Sequence, residues 1–326
     1  MPTRSLVLTA TALTTLAAGL ATGVAPSQAA PAAAPSAATV PAAATATSAR
    51  ILFDNGHAET AGNADWIIST SIPNPFNQKA SPTAETDWTG AISSWGVSLA
   101  QYPTYYPTLR TTTGALTYGT TGSLDLKNFD ELVIPEPNTA FTAAERTAIM
   151  QFVQNGGGLF LITDHDQSDR NNDGVDSVDI ANQLFTSNGV DNTNPFGITV
   201  DYKNYSSEDE TNIPAAAKTH PVIDGPWGTV TGSILRGGTT FTISTSSNPN
   251  AQCLLYRNAV SNTGSTGCFF AVSQFGSGRV ALWGDSSPVD DGTGQSGNTL
   301  YDGWNDPAGT DAELALNATD WLSHLS

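Results

Sequence analysis

Four short apolar runs in this 326-residue chain end directly in acidic or imidazole side chains. Gly156-Gly157-Gly158-Leu159-Phe160-Leu161-Ile162-Thr163 leads into Asp164, His165 and Asp166, and Ile51-Leu52-Phe53 leads into Asp54, Asn55, Gly56 and His57. Leu132-Val133-Ile134-Pro135 ends in Glu136, and Val280-Ala281-Leu282-Trp283-Gly284 ends in Asp285. Carboxylates and imidazoles transfer protons and ligate cations. If the runs are parallel strands of one sheet, their carboxyl ends lie side by side, where open α/β sheets bind ligands. Asp54, His57, Asp164, His165 and Asp285 are therefore expected to converge above the sheet. There they would hold one or two divalent cations that lower the pKa of a bound water. His57 or His165 is then a ligand or the general base. Glu136 with Asp164 also forms a carboxylate pair of the kind that hydrolyses bonds without metal.

Behind the glycine-led run, Asp169-Arg170-Asn171-Asn172-Asp173-Gly174-Val175 matches the first part of a calcium loop. It has oxygen donors at alternate positions, a glycine for the sharp turn, then a backbone carbonyl. Position twelve is Ile180 where a bidentate Glu is required, with Asp176 and Asp179 as substitutes. The reading is Ca²⁺ in the 169–179 loop, against a solvated acidic turn. At the strand-end cluster, oxygen-rich ligation favours Mg²⁺ or Mn²⁺, and the two histidines admit Zn²⁺.

The elements that must position these groups are legible as alternating strands and helices. Ala49–Phe53, Phe129–Pro135, the run after Gly156 and, after a turn, the run within Gly276–Asp285 read as buried strands. Trp88 to Leu99 carries apolar residues at helical spacing. Thr142 with Glu145 is a capping box that starts a helix running to about Gln154, where Asn155-Gly156 stops it. Phe129 to Asp166 is thus a βαβ unit. A helix is expected over Val178 to Phe185, and Asp311 to Leu325 has Leu314, Ala318, Trp321, Leu322 and Leu325 on one face. The fold class is α/β with a mainly parallel sheet. Gln252–Tyr256 and Cys268–Gln274 alternate as paired strands, and Cys253 and Cys268 are expected to staple them with a disulfide. His220, before Pro221 in a tight turn, reads as structural.

Residues 1–29 have the n-region, apolar stretch and small-residue cleavage site of a secretory signal, too short for a membrane span. Residues 30–48 are almost wholly Ala, Pro, Thr, Ser and Val and read as a disordered linker. Residues 49–326 then form one domain of a secreted protein. With 30 Asp+Glu against 12 Lys+Arg, the net charge is -18. Such a surface repels phosphate backbones, so no stable nucleic-acid complex is expected, although bound cations invert a local field and leave enzymatic attack on a polyanion open. The expected partner is an extracellular small-molecule or polymeric substrate.

The Gly156-Gly157-Gly158 strand, the His220-Pro221-Val222 turn, the Phe275-Gly276-Ser277-Gly278-Arg279-Val280 strand entry and the Asn317-Ala318-Thr319-Asp320-Trp321-Leu322 helix together resemble the class I glutamine amidotransferase-like superfamily, especially its trehalose-utilisation-protein-like and secreted branches. The resemblance implies a flavodoxin-like sheet with helices on both faces. It does not imply glutaminase chemistry, because Thr163-Asp164-His165 occupies the place of the nucleophilic cysteine. The reading that follows is a secreted divalent-metal-dependent hydrolase, with phosphoesters among its substrates. Glycan or amide hydrolysis by paired carboxylates is one alternative. The other is a non-catalytic, calcium-stabilised carbohydrate-binding protein using tyrosines and tryptophans around Tyr102–Tyr106 and Trp304.

Overall fold

The computed structural model describes residues 46–298 and 301–326. The expected signal segment 1–29 and the linker up to residue 45 lie outside them. Of the linker's last residues, Ala46 donates its N–H to the His324 carbonyl at 2.7 Å. In chain order the strands are β1 (Arg50–Asp54), β2 (Thr108–Thr112), β3 (Glu131–Pro135), β4 (Gly158–Ile162), β5 (Ile198–Val200), β6 (Glu208–Glu210), β7 (Asp224–Gly225), β8 (Gly228–Thr229), β9 (Ser233–Leu235), β10 (Phe241–Ile243), β11 (Gln252–Tyr256), β12 (Cys268–Phe275) and β13 (Gly278–Trp283). The α-helices are α1 (Ser93–Ala100), α2 (Ala143–Gln154), α3 (Ser177–Thr186) and α4 (Asp311–Leu322).

Nine strands form one mixed sheet in the order β2-β1-β3-β4-β13-β12-β10-β5, with β11 paired to β12. Strands β2, β1, β3, β4 and β13 run parallel, and the remainder join antiparallel. The parallel part therefore has the 2-1-3-4-5 order of a flavodoxin-like sheet. Alternate side chains of each strand face opposite ways. Ile51, Phe53, Val133, Phe160, Ile162, Ala281 and Trp283 share one core with Trp95 and Leu99 of α1 and Leu314, Ala318 and Leu322 of α4. Leu52, Leu132, Ile134, Leu159, Leu161, Val280 and Leu282 share the other with α2 and α3. Both faces are buried under helices, which is why the strands read as unbroken apolar runs.

The capping box opens α2 as expected: the Thr142 Oγ1 accepts from Glu145 N–H at 3.3 Å, and the Thr142 N–H donates to Glu145 Oε2 at 2.9 Å. The glycines at two strand starts are explained by close packing. A methyl group at Gly158 would lie 2.5 Å from the Leu322 carbonyl oxygen, and one at Gly278 2.0 Å from that of Val153. The first helix differs from expectation, beginning at Ser93 rather than near Trp88. Asp291 Oδ2 accepts from the Ser94 N–H at 2.6 Å and caps it there. The disulfide Cys253–Cys268 joins β11 to β12, as the cysteine spacing suggested.

Beside the large sheet, β6 pairs antiparallel with β9. Glu208 pairs with Arg257, whose guanidinium lies over the Tyr205 ring at 3.6 Å. Glu210 is fully buried, and its Oε1 has only Arg257 Nε at 3.8 Å, too far for a hydrogen bond. Burial, and then the Glu208 carboxylate, push the Glu210 carboxyl up to about 7. An acid whose folded pKa lies above its unfolded value stabilises the fold fully below the unfolded pKa, and that contribution is lost as pH rises through the folded one. The window here runs from about 4.5 to about 7. Glu210→Gln is therefore expected to match wild type in melting temperature near the acid end of this window and to gain on it steadily toward the neutral end. A difference that stays flat across the window would show that Glu210 is not held neutral.

Candidate active site

Four adjacent parallel strands deliver one carboxylate each at their carboxyl ends. Asp54 is the last residue of β1, Glu136 follows β3, Asp164 lies two residues past β4 and Asp285 two past β13. The order reverses direction between β1 and β3, the switch point where such sheets open a crevice. All four acids are buried, with exposures of 0–3%. Buried carboxylates need a counter-charge or a proton.

For two of them the counter-charge is Arg170. Its Nη2 donates to Asp164 Oδ2 at 2.7 Å and to Glu136 Oε2 at 3.0 Å, and its Nε donates to Glu136 Oε1. Nη1 reaches Asn63 Oδ1 at 3.0 Å, and the guanidinium sits over the Trp66 ring at 5.6 Å. Ser286 Oγ lies 2.6 Å from Glu136 Oε2 and 3.1 Å from Asp164 Oδ2. One hydroxyl hydrogen serves one carboxylate at a time, so the second contact is satisfied when the other acid carries a proton. Burial, then the charges of Glu136 and Asp285, raise the Asp164 carboxyl well above the carboxylate range, against the pull of Arg170. Asp285 is also raised by burial, opposed by N–H groups of Arg236 and Ser287 on its two oxygens. Glu136 adopts φ 47°, the left-handed region. That conformation costs a residue with a Cβ about 1 kcal/mol or more, and the Arg170 and Ser286 contacts hold it there.

Next to this cluster, the turn after β1 gathers Asp54, His57 and Glu59. His57 Nδ1 is 2.6 Å from Asp54 Oδ2, and its Nε2 is 3.4 Å from Glu145 Oε1. Burial opposes a charged His57 ring, but the hydrogen bond and charge of Asp54, with Glu145 behind, outweigh it and raise the pKa. Glu59 Oε2 accepts the His57 N–H at 2.8 Å, while Oε1 is buried without a hydrogen-bond partner. Burial and the neighbouring Asp54 raise the Glu59 carboxyl well above its usual range. Among the described residues, these three form the one group of His, Cys, Asp or Glu whose ligand atoms all lie within 4.8 Å of one another, the spacing a bound metal requires.

The other expected site residues are placed as follows. His165 is half-buried on the rim, its Nδ1 2.8 Å from the Asp166 carbonyl. In the calcium-like loop, Asp169 accepts the N–H groups of Asp173 at 3.1 Å and Gly174 at 2.7 Å. Asn171 Oδ1 accepts from Asp173 at 3.1 Å, and Asp173 Oδ1 from Val175 at 3.0 Å. Asp176 is the N-cap of α3, its two oxygens taking the N–H groups of Gln167 and Asp179, and Asp179 accepts the Tyr202 hydroxyl. His220 packs against Trp321 and accepts the Val222 N–H, a structural role. Glu59, Arg170 and Ser286 escaped the sequence reading. Glu59 stands two residues past His57, and Arg170 is the lone arginine or lysine in the acidic stretch from Asp164 to Asp179.

No protein-family model and no curated protein sequence matches the chain. Solved structures with a similar arrangement include the mmIFT52 N-terminal domain, 14% identical over 84% of this chain and 97% of that one, with a TM-score of 0.48. A ThuA-like protein from Parabacteroides merdae is 10% identical over 85% of this chain and 90% of its own, with a TM-score of 0.46. Another from Bacteroides uniformis is 14% identical over 84% and 90%, with a TM-score of 0.43. ThuA-like proteins are thus among the structural neighbours, at low identity. No described helix is long and apolar enough to cross a membrane.

Arg170→Met keeps the length of the side chain but leaves Glu136 and Asp164 without their cation. The expected cost is about 3 kcal/mol in urea unfolding at neutral pH, as for other buried pairs broken on one side. Arg170→Lys is expected to recover only part of it, because an ammonium cannot fork across two carboxylates. Full recovery by lysine would mean that charge alone, without the bidentate geometry, holds the cluster.

Proposed function

We propose that this protein is a secreted hydrolase dependent on a divalent cation, working at the carboxyl ends of β1, β3, β4 and β13, with phosphoesters as its substrate class. The observation that supports this most directly is Glu59 Oε1, a buried carboxylate oxygen without a partner in the tight Asp54, His57, Glu59 group. Two carboxylates and an imidazole suit Mg²⁺, Mn²⁺ or Zn²⁺. Such a cation, when bound, supplies an activated water and polarises the scissile bond. The chain's own residues do the remainder. Asp164, whose carboxyl is raised by burial and by its acidic neighbours, is the proton donor to the leaving group, with the half-buried His165 beside it. Arg170 and Ser286 keep Glu136 and Asp164 oriented. Asp169, Asn171 and Asp173 are proposed to take Ca²⁺ separately, as a brace for the loop that carries Arg170. The signal-like leader and the disulfide favour an oxidising, extracellular setting.

A second reading is favoured by Ser286, whose hydroxyl contacts both Glu136 and Asp164. A paired carboxylate beside a neutral carboxylic acid is the division of labour used in metal-free glycan cleavage.

Elemental mass spectrometry and bis-p-nitrophenyl phosphate turnover on wild type, Glu59→Gln and Asp164→Asn separate the two. Wild type is expected to hold a divalent metal besides calcium. Glu59→Gln should lose most of that metal, with turnover down by roughly 10- to 100-fold. A metal-free wild type, or a Glu59→Gln chain with undiminished hydrolysis and an inactive Asp164→Asn chain, sinks the metal reading in favour of the carboxylate pair.

A further inference from the structure

The amino ends of the strands carry a cavity, at the opposite end of the sheet from the acidic cluster. The turn Tyr102–Tyr106 precedes β2 and is tied to the start of β1 by the Ala49 N–H, which donates to the Tyr105 carbonyl at 2.7 Å. This turn, Trp227 from the connection between β7 and β8, and Asp320 of α4 line a space of about 510 Å³. That is within the range of small-molecule sites, roughly 300–1,000 Å³. Tyr102 and Tyr105 are 48% and 55% exposed. Tyr102 meets Trp227 edge-on, with ring centroids 5.0 Å apart at 83°, so their planes form two walls of a corner.

The polar groups there have one unmet requirement. Tyr106 donates its hydroxyl to Asp320 Oδ1. The Trp227 indole N–H is buried with no hydrogen-bond partner. Burial raises the Asp320 carboxyl, against the Tyr106 hydroxyl and the Trp227 indole, which both favour its charged form. A buried donor without an acceptor is destabilising. A ligand that relieves it must bring an acceptor, and beside a carboxylate that same group should also be able to donate. A hydroxyl does both. An organic cation brings no acceptor to the indole, and an anion is opposed by Asp320 and by the net charge of -18.

We propose that this corner binds a carbohydrate, with the apolar face of a pyranose ring against Tyr102, Tyr105 and Trp227 and its hydroxyls on the Trp227 N–H and Asp320. The site is independent of the hydrolytic reading and lies across the sheet from it.

Isothermal titration of the purified protein with cellohexaose, xylohexaose, mannohexaose, chitohexaose and tetramethylammonium tests the proposal. At least one hexasaccharide is expected to bind with a Kd below about 1 mM. Tyr105→Ala, which removes an exposed ring and should leave the melting temperature unchanged, is expected to weaken it at least roughly tenfold. Trp227→Phe, which keeps an apolar ring but deletes the N–H, should weaken it as well. The proposal is overturned if no hexasaccharide binds at about 5 mM, if binding survives in Tyr102→Ala/Tyr105→Ala, or if tetramethylammonium alone binds.

Discussion

The site rests on the forked contact of Arg170 with Glu136 and Asp164. Parallel strands that each end in an acid create a concentration of negative charge under a layer of side chains, where water cannot screen it. One guanidinium, planar and permanently charged, fits between two carboxylates in a way a point charge does not. It also joins elements far apart in sequence, since its Nη1 reaches Asn63 and its backbone N–H reaches Asn138. The loop after β4 is thereby fastened across the ends of β1 and β3. The Asp164 carboxyl is raised by burial and by the charges of Glu136 and Asp285, that is, by what surrounds it and not by its chemical type.

Much of the frame was legible in the residues. Apolar runs with helices on both sides implied a sheet covered on both faces, and the capping box at Thr142 and Glu145 marked the start of α2 within a residue. The disulfide followed from two cysteines in paired strands. The strand-end acids were recognised because each sits directly after its apolar run. What could not be read is long-range. Crowded acids imply a cation, but local spacing does not say whether that cation is a metal or a side chain, and Arg170 stood inside the loop whose neighbours were read as calcium ligands. Glu59 was passed over because its relation to His57 depends on a turn in which Ala58 adopts φ 66°. The late start of α1 is set by Asp291, nearly two hundred residues onward.

The two ends of the sheet are chemically unlike. At the carboxyl ends, acids are packed tightly and tied to a guanidinium, a hydroxyl and backbone N–H groups. At the amino ends, aromatic rings stand partly in solvent beside one carboxylate. Parallel strands permit this division, because every strand presents the same end to the same side.

The place of β13 in the sheet also has a consequence for the order in which the molecule can assemble. This strand comes near the end of the chain, yet it lies in the interior of the sheet between β4 and β12. Until it inserts, β4 has a bare edge. Asp285 and Ser286 arrive with the same strand. The first half of the chain can form its βαβ units early, but the acidic cluster is completed only when β13, made well after β4, has joined it. Such distant pairings are slow to find. An interrupted chain would therefore carry Glu136 and Asp164 without the Ser286 hydroxyl that sits between them.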